Sequence, residues 1–313
     1  MKSYAIIGTG AIGGYFAVKL YQAGFDVHCL LSSDYEVVKQ HGLTLISEGK
    51  EINAPVKAYH DAAEIPNCDV VIITLKTTFN SVLKTILPKV TNPNNLVIVM
   101  QNGIEIEREI ADLTPATILG GSCLMKVNKT APGIITHLGY NQVEIAQYFA
   151  DETHAKITEI VKKVVNDFLK ADLDASAEKN LNTMRWKKLA ANIPVNGLNV
   201  VLNDFPEVLV NFPAGFELLS ALTREVIDTG NRCGAQISED FYQHRLNILE
   251  SFKTMQQGDS SMGSDYKAKK PLELHAIYEN TMNIAKKFNV KMPLTEMLYR
   301  ELCYLNAKNL KKQ

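Results

Sequence analysis

A short apolar segment, residues 4–7, runs directly into Gly8-Thr9-Gly10-Ala11-Ile12-Gly13 and then into a helix-compatible stretch over residues 15–22. Few other orders of residues limit a fold so closely. Gly8 permits a tight turn, Gly10 lets the backbone approach a pyrophosphate, and Gly13 allows a helix to lie close on a strand, with the phosphates facing the helix N-terminus. The six-residue pattern is weak out of context, but here strand, turn and helix follow one another as the mechanism requires. Gly8, Thr9, Gly10, Ala11, Ile12 and Gly13 are therefore read as a dinucleotide-binding turn.

The N-terminal half continues in the same style. Strands are expected at 26–31, 69–74, 96–100 and 117–120, alternating with amphipathic stretches, which implies a parallel sheet covered by helices with ligands at the carboxyl ends of the strands. Two polar groups stand at such ends. Lys76 follows the run 70–75, and Gln101-Asn102-Gly103 follows the run 96–100, although Asn-Gly also makes ordinary turns. Residues 133–137 and 143–146 read as a hairpin-like extension of the sheet, followed by a helix at about 153–170.

From residue 177 onward the apolar period is helical almost throughout, with helices expected near 178–192, 213–233, 238–253, 271–288 and 294–307. The expected fold is therefore α/β, an N-terminal Rossmann-type doubly wound sheet over residues 1–175 plus an all-α C-terminal domain over 176–313. No linker-like tract separates them, and the active site is expected in the cleft between them. Residues 256–265 form the one obvious long loop of the helical half, and Pro271 at a first helical position would put Glu273 in the first turn, favoured there by the helix dipole.

The helical half carries a second pattern. At about 100° per residue, Lys188, Asn192, Asn196, Asn199 and Asn203 fall within an arc of roughly 80° on a segment otherwise made of Leu, Ala, Ile and Val. A buried amide without a partner costs on the order of 1–3 kcal/mol, so such a stripe needs a polar counterpart, either a ligand or solvent. Four asparagines, poor helix formers kept on one face, favour the ligand. Pro194 removes one helical hydrogen bond within the stripe, and a kink or restart is expected there.

Composition narrows the class. With 313 residues, a hydrophobic content of 46% and a net charge of −1, the chain supports two cores and has no global bias toward nucleic acid. No apolar run reaches membrane-spanning length and no leader precedes the first strand, so a cytoplasmic enzyme is expected. Lys267-Ala268-Lys269-Lys270 and Lys311-Lys312 are read as solvated surface. The five cysteines, Cys29, Cys68, Cys123, Cys233 and Cys303, are widely spaced and read as reduced core residues. No metal-binding, Walker or nucleophile-elbow motif occurs, which argues against a zinc hydrolase, a P-loop enzyme or a serine hydrolase.

Taken together, the residues resemble the ketopantoate reductase (2-dehydropantoate 2-reductase) family over nearly the whole chain. The resemblance rests on GTGAIGG at the start, Leu75-Lys76, Gln101-Asn102-Gly103, W-K-K-L-A-A-N-x-x-x-N at 186–196, SSM-x-x-D at 260–265 and Glu273. It implies NADPH-dependent reduction of a 2-oxo acid to a 2-hydroxy acid in pantothenate synthesis. Lys188 matches the general acid; Asn192, Asn196 and Ser261 match substrate-binding positions; Asn102 and Glu273 match positions linking cofactor and substrate; Lys76 matches a cofactor-side lysine. The chemistry of the residue types agrees. Hydride arriving at a ketone carbon drives charge onto oxygen, and an ammonium whose pKa is lowered by burial can stabilise and protonate that alkoxide. Lys187, about 100° away, is read as its solvated neighbour.

Three departures from the family pattern bear on specificity. The second strand ends in Leu30-Leu31-Ser32-Ser33-Asp34, without the arginine that often meets the NADP 2′-phosphate and without an acid directly at the strand end, although Asp34 is close. Serine hydroxyls such as that of Ser32 would then bind the phosphate, and NADPH is preferred over NADH. Gly197 replaces the proline that usually follows the second asparagine, and Pro271, His275 and Glu279 alter the surroundings of the glutamate. Three functions remain open: ketopantoate reductase proper, a reductase of another 2-oxo acid, and a nucleotide-binding sensor without catalysis. The partner implied is a small 2-oxo acid, and the sequence leaves the oligomeric state open, a homodimer included.

Overall fold

The computed structural model describes residues 1–151 and 156–311, and the chain divides into two compact units, residues 1–101 with 106–181 and residues 102–105 with 182–313.

The first unit is built on a ten-stranded sheet. Its strands are β1 (Ser3–Ile7), β2 (Asp26–Leu30), β3 (Leu43–Ser47), β4 (Lys50–Ala54), β5 (Lys57–Tyr59), β6 (Val70–Ile73), β7 (Leu96–Val99), β8 (Thr117–Ala131), β9 (Ile134–Gln147) and β10 (Asp174–Ala177). Across the sheet the order is β4-β3-β9-β8-β7-β6-β1-β2-β5, with β10 beside β9. The six strands from β5 to β8 run parallel, whereas β9 is antiparallel to β8 and β4 to β3. The chain leaves β1 on one side through β2 and returns on the other through β6, so the glycine turn after β1 sits at the topological switch point.

The central strands are buried on both faces. Tyr4, Ile6, Val70 and Ile72 join one apolar cluster, and the alternate residues Ala5, Ile7, Val71 and Ile73 are equally inaccessible, as expected for a covered parallel sheet. The first of the connecting helices, α1 (Ala11–Gln22), is apolar nearly all round, and β1, β2, β3, β4, β8 and β9 all touch it. A helix without a polar face must be enclosed, and the sheet curls to enclose it. The others are α2 (Tyr35–His41), α3 (Leu83–Val90), α4 (Ile106–Ala111) and α5 (Glu159–Lys170).

Two expectations change here. Residues 133–137 and 143–146 are not the two arms of a hairpin; apart from Gly133, in the turn before it, both lie on β9, whose antiparallel partner is β8. The outer half of β8, residues 124–131, mixes Leu, Met and Val with Lys, Asn and Thr and is half-buried to exposed, so it carries no continuous apolar run by which to recognise a strand. The β3–β4 hairpin turns on Glu48 and Gly49, both at positive φ (51° and 73°), a primed turn that suits the strand twist. The helix expected from 153 begins at Glu159, where the Thr158 hydroxyl accepts from the Val161 N–H at 3.3 Å; residues 153–155 lie outside the described residues.

The second unit is helical: α6 (Leu181–Val201), α7 (Pro206–Leu209), α8 (Pro213–Arg232), α9 (Glu239–Ser251), α10 (Ser261–Lys267), α11 (Asn280–Lys287) and α12 (Pro293–Leu310), with a π-helical stretch at His275–Glu279. No restart divides α6, which runs through Pro194 as one helix of 21 residues. Ala190, Ile193, Pro194, Gly197 and Leu198 are all buried, and that packing outweighs the roughly 3 kcal/mol a helix-interior proline costs. The expected loop at 256–265 is partly helix, since α10 begins at Ser261 with the Ser260 hydroxyl accepting from the Gly263 N–H at 3.0 Å. Pro271 is not at a helical N1 position: helix begins at Leu274, and the Glu273 carbonyl accepts from the Ile277 N–H at 3.2 Å. Cys29, Cys68 and Cys233 are buried free thiols, whereas Cys123 and Cys303 are only half-buried. No described helix is long and apolar enough to cross a membrane.

Candidate active site

In the first unit the turn after β1 is assembled from the carboxyl ends of neighbouring strands. Gly8 takes φ +101°, and a Cβ there would stand 2.6 Å from the backbone N of Leu75. A Cβ on Gly13 would stand 2.4 Å from the Gly8 carbonyl and 2.5 Å from the Thr74 hydroxyl. Thr74, which sequence reading passed over, donates that hydroxyl to the Gly8 carbonyl at 2.7 Å and so ties the turn to the end of β6. Thr9 donates to the Leu30 carbonyl at 3.1 Å, tying it to the end of β2. Gly10 is the exception, because nothing lies within 4 Å of its would-be Cβ. Beside that open space α1 begins with no side-chain cap and no acidic residue in its first turn. Uncapped N–H groups, a favourable dipole and a bare glycine make a cradle into which a pyrophosphate fits. Lys76 immediately precedes the 3-10 turn Thr77–Val82 beyond β6, next to Leu75 and hence to Gly8.

At the end of β2, Ser32 is exposed and Asp34 is buried. Burial by itself would raise the Asp34 carboxyl, but the Lys129 ammonium (2.8 Å), the Ser33 hydroxyl (2.8 Å) and the Gly133 N–H (3.1 Å) outweigh it and hold the group below its usual range. Asp34 is thus a clamp joining the end of β2 to the β8–β9 hairpin. Because its folded pKa is depressed, its stabilisation is complete above the unfolded value near ~3.9 and disappears as pH falls through the folded value. Asp34→Asn is accordingly expected to cost about 2 kcal/mol at neutral pH, or about 4–8 °C in Tm. The gap between wild type and variant in a thermal melt should close below about pH 4; a gap independent of pH would refute the ionic clamp.

In the second unit the stripe on α6 is divided between two tasks. Lys188 and Asn192 are half-buried and Asn196 is buried. The Asn192 amide donates to Asn102 Oδ1 at 3.3 Å, for the segment 102–105 after β7 belongs to the helical unit. Gly103 holds it there at φ +111°, where a Cβ would stand 2.5 Å from the Ala276 carbonyl; Ile104 donates its N–H to that carbonyl at 3.1 Å and accepts the Asn280 amide at 3.0 Å. Asn199 does other work. Its Oδ1 accepts the Ser260 N–H (2.9 Å) and hydroxyl (2.7 Å), and its amide donates to the Asp204 carbonyl at 2.9 Å. Its counterpart is the protein's own loop. Asn203 leaves the stripe altogether, because α6 ends at Val201 and Asn203 is exposed at φ +53°.

The remaining positions are also defined. Glu273 is buried and Ser261 is exposed on the first turn of α10. Lys187 is not merely solvated; it is half-buried, with Nζ 5.6 Å from the centre of the Phe241 ring. Gly197 is glycine because a Cβ would stand 2.7 Å from the Tyr278 hydroxyl and 2.5 Å from Leu298. Tyr278, fully buried, donates that hydroxyl to the Ile193 carbonyl at 3.1 Å. His275 and Glu279 pair with each other at 2.9 Å.

Comparison with known proteins matches both units to one family. The profile of ketopantoate reductase PanE/ApbA covers residues 4–149, and that of its C-terminal region covers residues 180–304. The chain is 39% identical over 310 residues to a 2-dehydropantoate 2-reductase of Nostoc sp., spanning 98% of this chain and 96% of the relative. Among solved structures, a 2-dehydropantoate 2-reductase from Geobacter metallireducens superposes with a TM-score of 0.89 at 29% identity, covering 96% of this chain and 98% of the other. One from Methylococcus capsulatus gives 0.86 at 26% identity, covering 98% and 97%.

Proposed function

The chain belongs to the ketopantoate reductase family, and from that premise we propose that it reduces 2-dehydropantoate to pantoate with NADPH, Lys188 serving as the general acid. The observation that carries this reading is the junction of Asn192 with Asn102, one helical turn from Lys188. It gathers an ammonium and amides on one face, a set suited to a ketone and its neighbouring polar groups.

Bound NADPH supplies hydride to the ketone carbon. Lys188 stabilises the charge developing on the carbonyl oxygen and delivers the proton that completes the alcohol. Asn192 and Asn196 orient the carbonyl and hydroxyl of the substrate, and Ser261 holds its carboxylate. Asn102 and Glu273 link the substrate and cofactor positions. In the first unit Gly8 to Gly13 hold the pyrophosphate, and Lys76 stands on the cofactor side. NADPH is favoured over NADH because Asp34, the nearby acid that could serve a ribose 2′-hydroxyl, is engaged by Lys129, Ser33 and Gly133. That leaves the exposed hydroxyl of Ser32 to meet a 2′-phosphate.

The test is oxidation of NADPH, and separately of NADH, by purified protein, followed by absorbance with ketopantoate and a panel of other 2-oxo acids. Turnover efficient on ketopantoate and faster with NADPH is the expected result. Preference for another 2-oxo acid would reassign the substrate, and no turnover with any would turn the reading toward a nucleotide sensor.

A further inference from the structure

The end of β2 carries a cation brought from a distant part of the first unit. Thr9 of the glycine turn donates to the Leu30 carbonyl at 3.1 Å, so the turn and residues 31–34 form one continuous edge, the place where a Rossmann fold meets the adenosine ribose. Asp34 lies about 20 residues beyond the turn, the spacing of the acid that binds the ribose 2′-hydroxyl of NAD. It is already occupied. Its side chain is only 6% exposed, and its two oxygens accept from Lys129 Nζ at 2.9 and 2.8 Å, with the Ser33 hydroxyl on one and the Gly133 N–H on the other.

Lys129 comes from the outer half of β8, and its side chain is 35% exposed. The buried member of the pair is thus the anion and the exposed member is the cation. An ammonium has three N–H donors, and Asp34 takes two of them. A phosphate at this end of β2 meets the positive pole of the pair, whereas a ribose hydroxyl that needs an acid finds Asp34 engaged. The other charges near the strand end do not reverse that sign. Asp61, just beyond β5, is held by Lys89 at 3.1 Å, and the exposed acids Glu36 and Glu64 lie in the field of Lys39 on α2. His60, its ring 5.5 Å from that of Tyr35, adds no negative charge.

We propose that Lys129 selects NADP over NAD, its ammonium taking the 2′-phosphate where the strand-end arginine is missing while it keeps Asp34 from the ribose. The assignment rests on the cofactor reading above, and it adds a cation to the exposed hydroxyl of Ser32.

Titration calorimetry with 2′,5′-ADP, the half of the cofactor that bears the 2′-phosphate, and with 5′-AMP, which lacks it, tests this without catalysis. Lys129→Met should weaken binding of 2′,5′-ADP by about 10–100-fold and leave that of 5′-AMP unweakened, and Lys129→Arg should retain most of the wild-type affinity. Asp34→Asn breaks the same clamp but spares the ammonium, so it should bind 2′,5′-ADP at least as tightly as the wild type; a merely structural role for Lys129 predicts weaker binding there too. If the stranded acid unfolds Lys129→Met, the double variant Lys129→Met/Asp34→Asn carries no unpaired charge and should still show the loss. Wild-type affinity for 2′,5′-ADP in either of these Lys129→Met proteins overturns the contact. A wild type that binds 5′-AMP as tightly as 2′,5′-ADP overturns the NADPH preference on which the assignment rests. One that discriminates between them yet reduces no 2-oxo acid overturns the reductase reading instead, and the variants still decide Lys129.

Discussion

Replacement of Lys188 by alanine is expected to lower kcat for ketopantoate reduction by about 10³-fold, within the range by which a positioned acid accelerates proton transfer. The affinity for NADPH, measured by fluorescence titration, should change by less than about twofold, because the glycine turn proposed to hold the pyrophosphate opens α1 and is not part of α6. The control is the adjacent lysine. Lys187 stands over Phe241 and differs from Lys188 by about a third of a helical turn, so Lys187→Ala should retain kcat within about threefold. A structural role for Lys188 predicts a lowered Tm and no response to added amines; an acid role predicts an unchanged Tm and partial rescue by methylamine. Full turnover in the Lys188 variant, or loss confined to the Lys187 variant, would sink the mechanism.

The glycine turn offers a second large effect, in which neighbouring glycines fail in opposite ways. A Cβ at Gly13 would meet the Gly8 carbonyl at 2.4 Å, and the carbonyl belongs to a turn held by Thr74 and unable to retreat. Gly13→Ala is expected to cost about 1–3 kcal/mol, the range for overpacking in a tight site, and to lower Tm by about 2–12 °C. Gly10 has open space around its Cβ position. Gly10→Ala should therefore melt within a few degrees of the wild type, yet the methyl occupies the space where the backbone meets the pyrophosphate, so the NADPH Kd should rise by about tenfold or more. Equal NADPH affinity in Gly10→Ala and the wild type would mean that the cofactor does not approach this turn.

Local features were legible in the sequence. The segment from β1 through Gly8 to α1 is contiguous, and each of its demands, a positive φ, a close approach and an open N-terminus, is met by a residue within the same dozen positions. The helical period of α8, α9 and α12 was legible for the same reason, since a repeating apolar face is visible within each helix. The stripe on α6 was legible only as a set of directions. Lys188, Asn192, Asn196 and Asn199 lie on the helix as the 100° rule requires, but sequence could not say that Asn199 is satisfied by Ser260 and Asp204 while Asn192 meets Asn102.

Where residues distant in sequence meet, the reading failed. The outer half of β8 has no apolar run and is a strand because β9 pairs with it. Pro194 ought to break α6, and does not, because the helix is packed around it. In sequence, glycine at 197 is only a departure from the family's usual proline; in the fold it is room for Tyr278.

The sequence by itself determined the glycine turn between β1 and α1, the two-part α/β and all-α architecture and the family, because those depend on local spacing and periodicity. Tertiary structure alone decided that segment 102–105 joins the helical unit, that Asp34 is bound to Lys129, and that Asn199 is satisfied by Ser260 and Asp204. Hydrogen bonds and ion pairs act over about 3 Å whatever the separation along the chain, so the partner of a buried charge, or its lack, is known only once the chain has folded.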